Sequence, residues 1–127
     1  MARSSSRLSP HFALAEFTSG DGARVPSWKV PCYRALCRDF LEPLREEFGP
    51  VVVTSGFRSL RHNGLVGGAP FSYHRAIRRR PGCAADVTCA AGTPADWYEL
   101  LDALAAPGLS RYASFVHVDN RDGWARW

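Results

Sequence analysis

The spacing of apolar residues in the first half of the chain predicts one long helix. Between residues 31 and 48, apolar side chains recur three and four positions apart, as on the buried stripe of a helix. The repeating positions are Leu36, Phe40, Leu41 and Leu44. Pro43 lies inside this pattern and has no backbone N–H, so a kink or break is expected near Leu41 and Glu42. Gly49 and Pro50 then end the helix.

Three short segments predict strands. Val51–Thr54 is a β-branched run between a Gly-Pro and a Ser-Gly pair, which favours a buried strand over a helix. Residues 84–89 form a second candidate. Residues 114–119 alternate apolar with polar side chains, as in a strand that has one buried face.

The rest of the pattern predicts a second helix and a long loop. Thr93 can accept hydrogen bonds from the first turn of a helix that Pro94 opens, and this helix should run to about Ala106. Residues 59–73 are rich in Gly and also contain Asn and Pro, which predicts a long irregular loop. Loops of this length are usually functional.

Length and composition predict a single soluble domain. The chain has 127 residues, and one hydrophobic core commonly forms from about 100 to 150 residues. Residues 1–10 are polar and rich in Ser and Arg, which predicts an N-terminal arm that is disordered unless other residues hold it in place. This arm lacks the apolar run of a secretory signal, and no segment reaches the roughly 20 apolar residues that span a bilayer.

The positive charge is concentrated in one short segment. The formal net charge is only +4, but Arg75, Arg78, Arg79 and Arg80 fall within six positions. This Arg-rich segment would attract carboxylates, phosphates or nucleic acid, and a solvated surface loop explains it equally well. The chain has no recognisable nucleic-acid-binding motif, so a nucleic-acid-binding module is the least favoured interpretation.

His74, Asp86 and His117 are candidate metal ligands. Imidazole nitrogen and carboxylate oxygen suit a borderline ion such as zinc, and three protein ligands leave a fourth position for water, as in catalytic zinc sites. Scattered His and Asp residues alone are a weak signal, because most such groups are exposed or hydrogen-bonded.

Short motifs along nearly the whole chain strengthen this interpretation. They are LSPHF at 8–12, LAEF at 14–17, LEPLR at 41–45, TSGFR at 54–58, HN at 62–63, VGGA at 66–69, SYH at 72–74, AADV at 84–87 and FVHVD at 115–119. In this order they resemble the M15 family of zinc peptidases, especially its compact M15A-like branch. That family includes D-alanyl-D-alanine carboxypeptidases and phage L-alanyl-D-glutamate endopeptidases.

The resemblance implies a fold and a set of site residues. It implies an α+β fold of the Hedgehog/DD-peptidase type, in which a small antiparallel sheet has helices on one face and a zinc cleft on the other. It places His74, Asp86 and His117 at the zinc-ligand positions. Arg58 would hold a substrate carboxylate or carbonyl, since a guanidinium can form two parallel bonds to a carboxylate, and Ser72 is also assigned to substrate binding.

The chain departs from the family pattern at two places. Eleven residues separate His74 from Asp86, more than is usual in the family, and the Arg-rich segment lies among them. The acidic residue that commonly acts as catalytic base is replaced by Ser114. Asp119 is the best remaining candidate because it shares a strand face with His117, although it could instead orient that histidine. Asp122 is a more distant alternative.

Four other residues are interpreted as structural. His11 and His62 lie in family-like segments but away from the ligand positions, so both are predicted to be structural hydrogen-bonding residues. Trp124 and Trp127 are predicted to pack at the C-terminal end of the chain.

Two functions follow from these observations. The first is zinc-dependent hydrolysis of peptide bonds in bacterial peptidoglycan by a phage-encoded enzyme, with the stem peptide as substrate. Such an enzyme would act on the cell wall from the virion or from the host cytoplasm before release. The second is a structural component of a virion or tail that retains the fold with weak or no activity and contacts other virion proteins. Ser114 and the Arg-rich segment favour the second function, whereas the complete ligand set favours the first.

Overall fold

The structure, a computed structural model, describes residues 7–127 and contains four α-helices and seven strands within that range. The helices are α1 Val30–Leu36, α2 Glu42–Phe48, α3 Leu60–Leu65 and α4 Pro94–Ala103. The strands are β1 Arg7–Ser9, β2 Phe12–Ala13, β3 Val51–Ser55, β4 Ala84–Cys89, β5 Gly108–Arg111, β6 Val116–Asp119 and β7 Ala125–Arg126. None of the helices in this part of the chain is long and apolar enough to cross a membrane.

The main sheet has five strands in the order β3-β4-β6-β5-β7. Its neighbours are antiparallel except for β5 and β7, which run parallel, so the predicted small antiparallel sheet is confirmed for β3, β4, β6 and β5 and gains one parallel strand at its edge. β1 and β2 form a separate antiparallel pair. The pattern of apolar residues misses β7 because it has only two residues, and misses β5 because this strand begins at a glycine and has Leu109 as its one large apolar residue.

The predicted first helix is confirmed, together with its interruption. α1 and α2 are joined by one π-helical turn, Cys37–Leu41, which ends just before Pro43. The backbone N–H of Glu42 donates to the carbonyl of Cys37, five residues earlier, instead of the usual four. This wider turn accommodates the missing donor of Pro43.

The predicted loop at residues 59–73 is wrong in its first part, which forms α3. Ser59 caps this helix by accepting a hydrogen bond from the backbone of His62 at 3.0 Å. Leu60 and Leu65 are exposed, so the helix has no buried apolar stripe from which the sequence could predict it. Its capping serine is the signal that the sequence does contain.

The predicted strand at Val51–Thr54 is confirmed as β3, but it is a half-exposed edge strand and not the buried strand predicted from its composition. Among the described residues it pairs only with β4, and Val52 is 59% exposed. β-branched residues fit a half-exposed edge as well as a buried centre, so composition alone does not distinguish the two.

The end of the predicted N-terminal arm is ordered, because other residues hold it in place. Residues 1–6 lie outside the described residues, but β1 begins at Arg7 and Leu8 is buried in the core. Glu42 in α2 ties the hairpin down, because its carboxylate accepts a hydrogen bond from the backbone of His11 at 2.8 Å. The ring of His11 also contacts Glu42, in agreement with its predicted structural role.

Alternation along β4 and β6 separates an apolar face from a polar face. Ala85, Val87, Val116 and Val118 belong to the hydrophobic cluster, and α2 and α4 pack on this side. The residues between them point the other way, where side chains from the loop before β4 approach the sheet. The polar face is therefore the one available for chemistry.

Candidate metal centre

Three separate segments position the candidate ligands. Asp86 on β4 and His117 on β6 are directly opposite each other in the antiparallel register, so their side chains are neighbours on the polar face. His74 comes from the loop before β4, and its carbonyl accepts a hydrogen bond from the backbone of Arg58 at 2.8 Å. The centre thus depends on both the sheet register and the loop conformation.

The three side chains converge on one point. Oδ1 of Asp86 lies 3.2 Å from Nε2 of His74 and 3.1 Å from Nδ1 of His117. All three residues are buried, and one ligand atom from each lies within 4.8 Å of the others. Two imidazole nitrogens and a carboxylate oxygen at such separations can hold a metal ion.

Hydrogen bonds on the far side of each ring determine which nitrogen faces the centre. Nδ1 of His74 donates to the carbonyl of Gly56 at 2.7 Å, and Nε2 of His117 donates to Asp119 at 2.7 Å. In the neutral rings the other two nitrogens carry lone pairs directed at Asp86. Lone pairs facing a carboxylate require a cation between them, so the donor set fits a divalent metal ion.

The charge balance of the centre supports the same conclusion. Burial alone would raise the pKa of Asp86, but hydrogen bonds and charge interactions with His117 and His74 hold it well below its usual range. Burial alone would lower the pKa of His117, but its contacts with Asp119 and Asp86 raise it overall. The site therefore favours positive charge between its carboxylates, which a proton or a metal ion can supply.

Asp119 lies behind His117 and is fully buried. Arg121 donates from Nε to Oδ1 at 2.8 Å and from Nη2 to Oδ2 at 2.7 Å. Burial would raise the pKa of Asp119, but its bonds with Arg121 and His117 lower it to about 2. Both carboxylate oxygens are thus engaged away from the cleft. This geometry favours the second role considered for Asp119, an acceptor that orients a ligand histidine.

The centre forms the floor of an open cleft of about 460 Å³. Aromatic side chains form much of its wall: Phe71, Tyr73, Tyr112, Phe115 and Trp127. Tyr112 stacks on Phe115 with ring centroids 4.5 Å apart, and the ring of Trp127 contacts that of His117 at 4.9 Å. Trp127 therefore lines the cleft, in addition to the packing role predicted for it. Trp124 is exposed and lies beneath the guanidinium of Arg126.

Arg58 and Ser72 both line the cleft. Nη2 of Arg58 lies 3.6 Å from Oδ2 of Asp86, and its Nε donates to Ser55 at 3.2 Å. The hydroxyl of Ser72 accepts a hydrogen bond from the backbone of His74 at 3.1 Å. Ser72 therefore supports a ligand residue from within the cleft wall.

The serine that replaces the family's acidic base and the second acidic alternative both lie elsewhere. Ser114 and Asp122 are exposed and do not line the cleft. Within residues 7–127, Asp86 is the only acidic side chain among the residues that line it. These lining residues thus offer, in the described part of the chain, no second acidic side chain that could accept a proton.

The Arg-rich segment divides into two exposed and two engaged side chains. Arg78 and Arg79 are exposed, and the guanidinium of Arg78 lies 4.9 Å from the ring centre of Trp28. Arg75 donates to the carbonyl of Pro70, and Arg80 donates to several carbonyls near His74. The prediction of a solvated loop therefore describes only half of the segment.

Three supporting residues are absent from the sequence-based site. The carbonyl of Gly56 accepts a hydrogen bond from His74, and Arg121 donates to the carboxylate of Asp119 behind His117. Buried Asn63 accepts a hydrogen bond from Arg58 at 3.4 Å. Gly56 and Asn63 lie inside the TSGFR and HN motifs, which is a usable signal. Arg121 lies two positions after Asp119 and carries no such signal, because an arginine at a strand end is usually solvated.

A buried His-Asp-His cluster at the floor of an open cleft is typical of metal-dependent hydrolases. The comparison with protein families agrees: a model described as Peptidase M15 matches residues 10–119. The chain belongs to this family, which confirms the resemblance found in the motifs and defines the protein class as metal-dependent peptidase. Neither the curated proteins nor the solved structures include a match to this chain.

Proposed function

We propose that this protein is a zinc peptidase that hydrolyses peptide bonds in the stem peptides of bacterial peptidoglycan. The observation that carries the proposal is the convergence of His74 Nε2 and His117 Nδ1 on Asp86, with the other nitrogen of each ring held by the protein. Two imidazoles, one carboxylate and an open cleft suit a catalytic zinc ion. The proposed architecture is that of the Hedgehog/DD-peptidase type.

The residues of the cleft have separate proposed roles. A zinc ion held by His74, Asp86 and His117 would supply a Lewis acid and lower the pKa of a bound water to about 7. Arg58 would hold a carbonyl or carboxylate of the peptide, because its guanidinium lies beside Asp86 at the cleft wall. Asp119 would keep the His117 ring in its binding orientation.

The proton acceptor is the part of this mechanism that differs from the initial expectation. Asp119 is fully buried and bonded to Arg121, so it does not face water in the cleft. Proton transfer would then depend on hydroxyl groups of the wall or on solvent. A positioned base contributes about 10²- to 10⁴-fold to the rate, so we expect slow turnover.

The missing carboxylate also supports a second candidate function. A virion or tail component could keep the fold and its metal for stability while losing most of its activity. The phage origin rests on the family resemblance. The structural role rests on that resemblance and on the described residues that line the cleft, among which Asp86 is the one acidic side chain. Both candidates share the metal centre and differ in turnover.

Metal analysis and turnover of the same preparation separate the candidates. The purified protein is assayed for bound zinc and for release of new amino groups from isolated peptidoglycan and from defined stem peptides. Enzyme function predicts about one zinc per chain and turnover that is lost in Arg58→Ala, while exposed Arg61→Ala serves as a matched control. Bound zinc without turnover supports the structural component, and a protein that takes up no zinc contradicts both.

A further inference from the structure

We propose that Arg80 is a positioning residue for the metal centre, through which the Arg-rich segment holds both ligand histidines in place. This inference rests on the proposed metal site and extends it to a residue outside the ligand set. Arg80 lies in the segment that separates His74 from Asp86. Its contacts reach one histidine through the backbone and the other through side chains.

The first set of contacts fixes the loop that carries His74. Nη1 of Arg80 donates to the carbonyl of Phe71 at 2.5 Å, and Nη2 donates to the carbonyls of Ser72 at 2.8 Å and Arg75 at 3.3 Å. These carbonyls lie before and after His74 in the chain. One planar group therefore holds the turn from both sides, which few other side chains could do.

The second set of contacts leads to His117. The guanidinium carbon of Arg80 lies 4.0 Å from the ring centre of Tyr73, and that of Arg121 lies 4.3 Å from the same ring. Arg121 in turn forms two hydrogen bonds to Asp119, which accepts from His117. Tyr73 is thus the element shared between Arg80 and the carboxylate that orients the second histidine.

The environment of Arg80 argues against a role in binding solvent or substrate. Its Nε is buried and has no hydrogen-bond partner among the described residues, a situation that a surface arginine avoids by turning toward water. Its backbone is also held, because buried Lys29 donates from Nζ to the Arg80 carbonyl at 2.8 Å. The guanidinium therefore binds the loop around His74 and is not free to contact a substrate.

The test measures metal binding independently of catalysis. Zinc affinity is determined by competition with a chromophoric chelator, the ligand geometry by the visible absorption of the cobalt-substituted protein, and stability by the melting of the metal-free protein. Arg80→Ala and Tyr73→Leu should each weaken zinc binding about tenfold, the lower end of what loss of a supporting contact causes, and should alter the cobalt spectrum. Arg80→Lys should also weaken it, because an ammonium group cannot reproduce the planar stack.

Two matched variants serve as controls. Tyr73→Phe keeps the ring on which both guanidinium groups lie, and Arg79→Ala removes an exposed charge of the same segment. Both should bind zinc as the parent protein does. The Arg80→Ala and Tyr73→Leu effects should not multiply in the double variant, since the two residues act in one network.

The outcomes distinguish this inference from the proposed function. If the parent protein binds zinc and the Arg80 variants bind it equally with an unchanged cobalt spectrum, the inference is overturned and the site stands. A lower melting temperature without any change in zinc affinity also overturns it, because that assigns Arg80 to stability alone. A parent protein that binds no zinc contradicts the proposed metal site, and the inference about Arg80 fails with it. If Arg80→Ala does not fold, Arg80→Lys and Tyr73→Leu decide by the same measurements.

Discussion

At the scale of single residues, the centre is defined by what lies behind each ligand. The Gly56 carbonyl and the Asp119 carboxylate accept the outer protons of His74 and His117, so each ring presents its free nitrogen to Asp86. This arrangement lowers the cost of organising the site before metal enters, because tautomer and ring orientation are already selected. Asp119 is the more informative of the two acceptors, since it can be changed without altering the backbone.

We predict that Asp119→Asn weakens zinc binding about 10- to 100-fold, as loss of such an acceptor typically does. The neutral amide lacks the negative charge of the carboxylate and keeps only one acceptor oxygen for the two hydrogen bonds from Arg121. Competition titration with a chelator measures the effect, and the exposed Asp122→Asn is the control. Unchanged zinc affinity combined with lost turnover would return Asp119 to the role of catalytic base.

At the scale of elements, the register between β5 and β6 places Gly108 directly opposite Asp119. A Cβ on Gly108 would overlap the Asp119 carboxylate, so the absence of a side chain there makes room for the acceptor behind His117. The glycine is needed for space and not for an unusual backbone angle. The strand pair thus carries part of the metal centre although it contributes only one ligand.

We predict that Gly108→Ala destabilises the protein by about 1–3 kcal/mol, the usual cost of an overpacked site, and also weakens zinc binding. The free energy of unfolding in denaturant and the zinc titration measure the two effects. Gly64→Ala is the matched control, because a Cβ at Gly64 in α3 meets no atom within 4 Å and alanine favours the helix. Normal zinc affinity in Gly108→Ala would show that Asp119 can move without harm.

A second contact between elements predicts a pH dependence. Burial would raise the pKa of Glu42, but hydrogen bonds from Ser9 and His11 lower it overall. A carboxylate with a lowered folded pKa stabilises the protein fully above its unfolded pKa, near 4.3, and this stabilisation is lost as pH falls through the folded pKa. The difference in unfolding free energy between the parent and Glu42→Gln should therefore shrink below about pH 4. A difference independent of pH would contradict this assignment.

At the scale of the whole molecule, the sequence predicts the members of the His-Asp-His cluster better than it predicts the scaffold around them. Asp86 and His117 are predictable because alternating strands and family motifs both mark them. The short strands β5 and β7 and the helix α3 are not, since tertiary pairing and one capping serine determine them. Arg80 escapes prediction for a related reason: its partners are backbone carbonyls and one ring, and a charged run gives no sign of them.

Because the three ligands lie far apart in the sequence, we predict that zinc stabilises the whole fold. His74 lies in a loop, whereas Asp86 and His117 lie on neighbouring strands, so the three converge only in the folded chain. A ligand that binds only the folded state at 100 times its dissociation constant adds about 2.7 kcal/mol of stability, and each further tenfold excess adds about 1.4 kcal/mol. The melting temperature should therefore rise by several degrees with zinc and fall again with a chelator. His74→Ala should remove the zinc-dependent rise, and Asp119→Asn should shift it to higher zinc concentration. A melting temperature that does not respond to zinc in the parent protein would mean that these three residues do not form a metal centre.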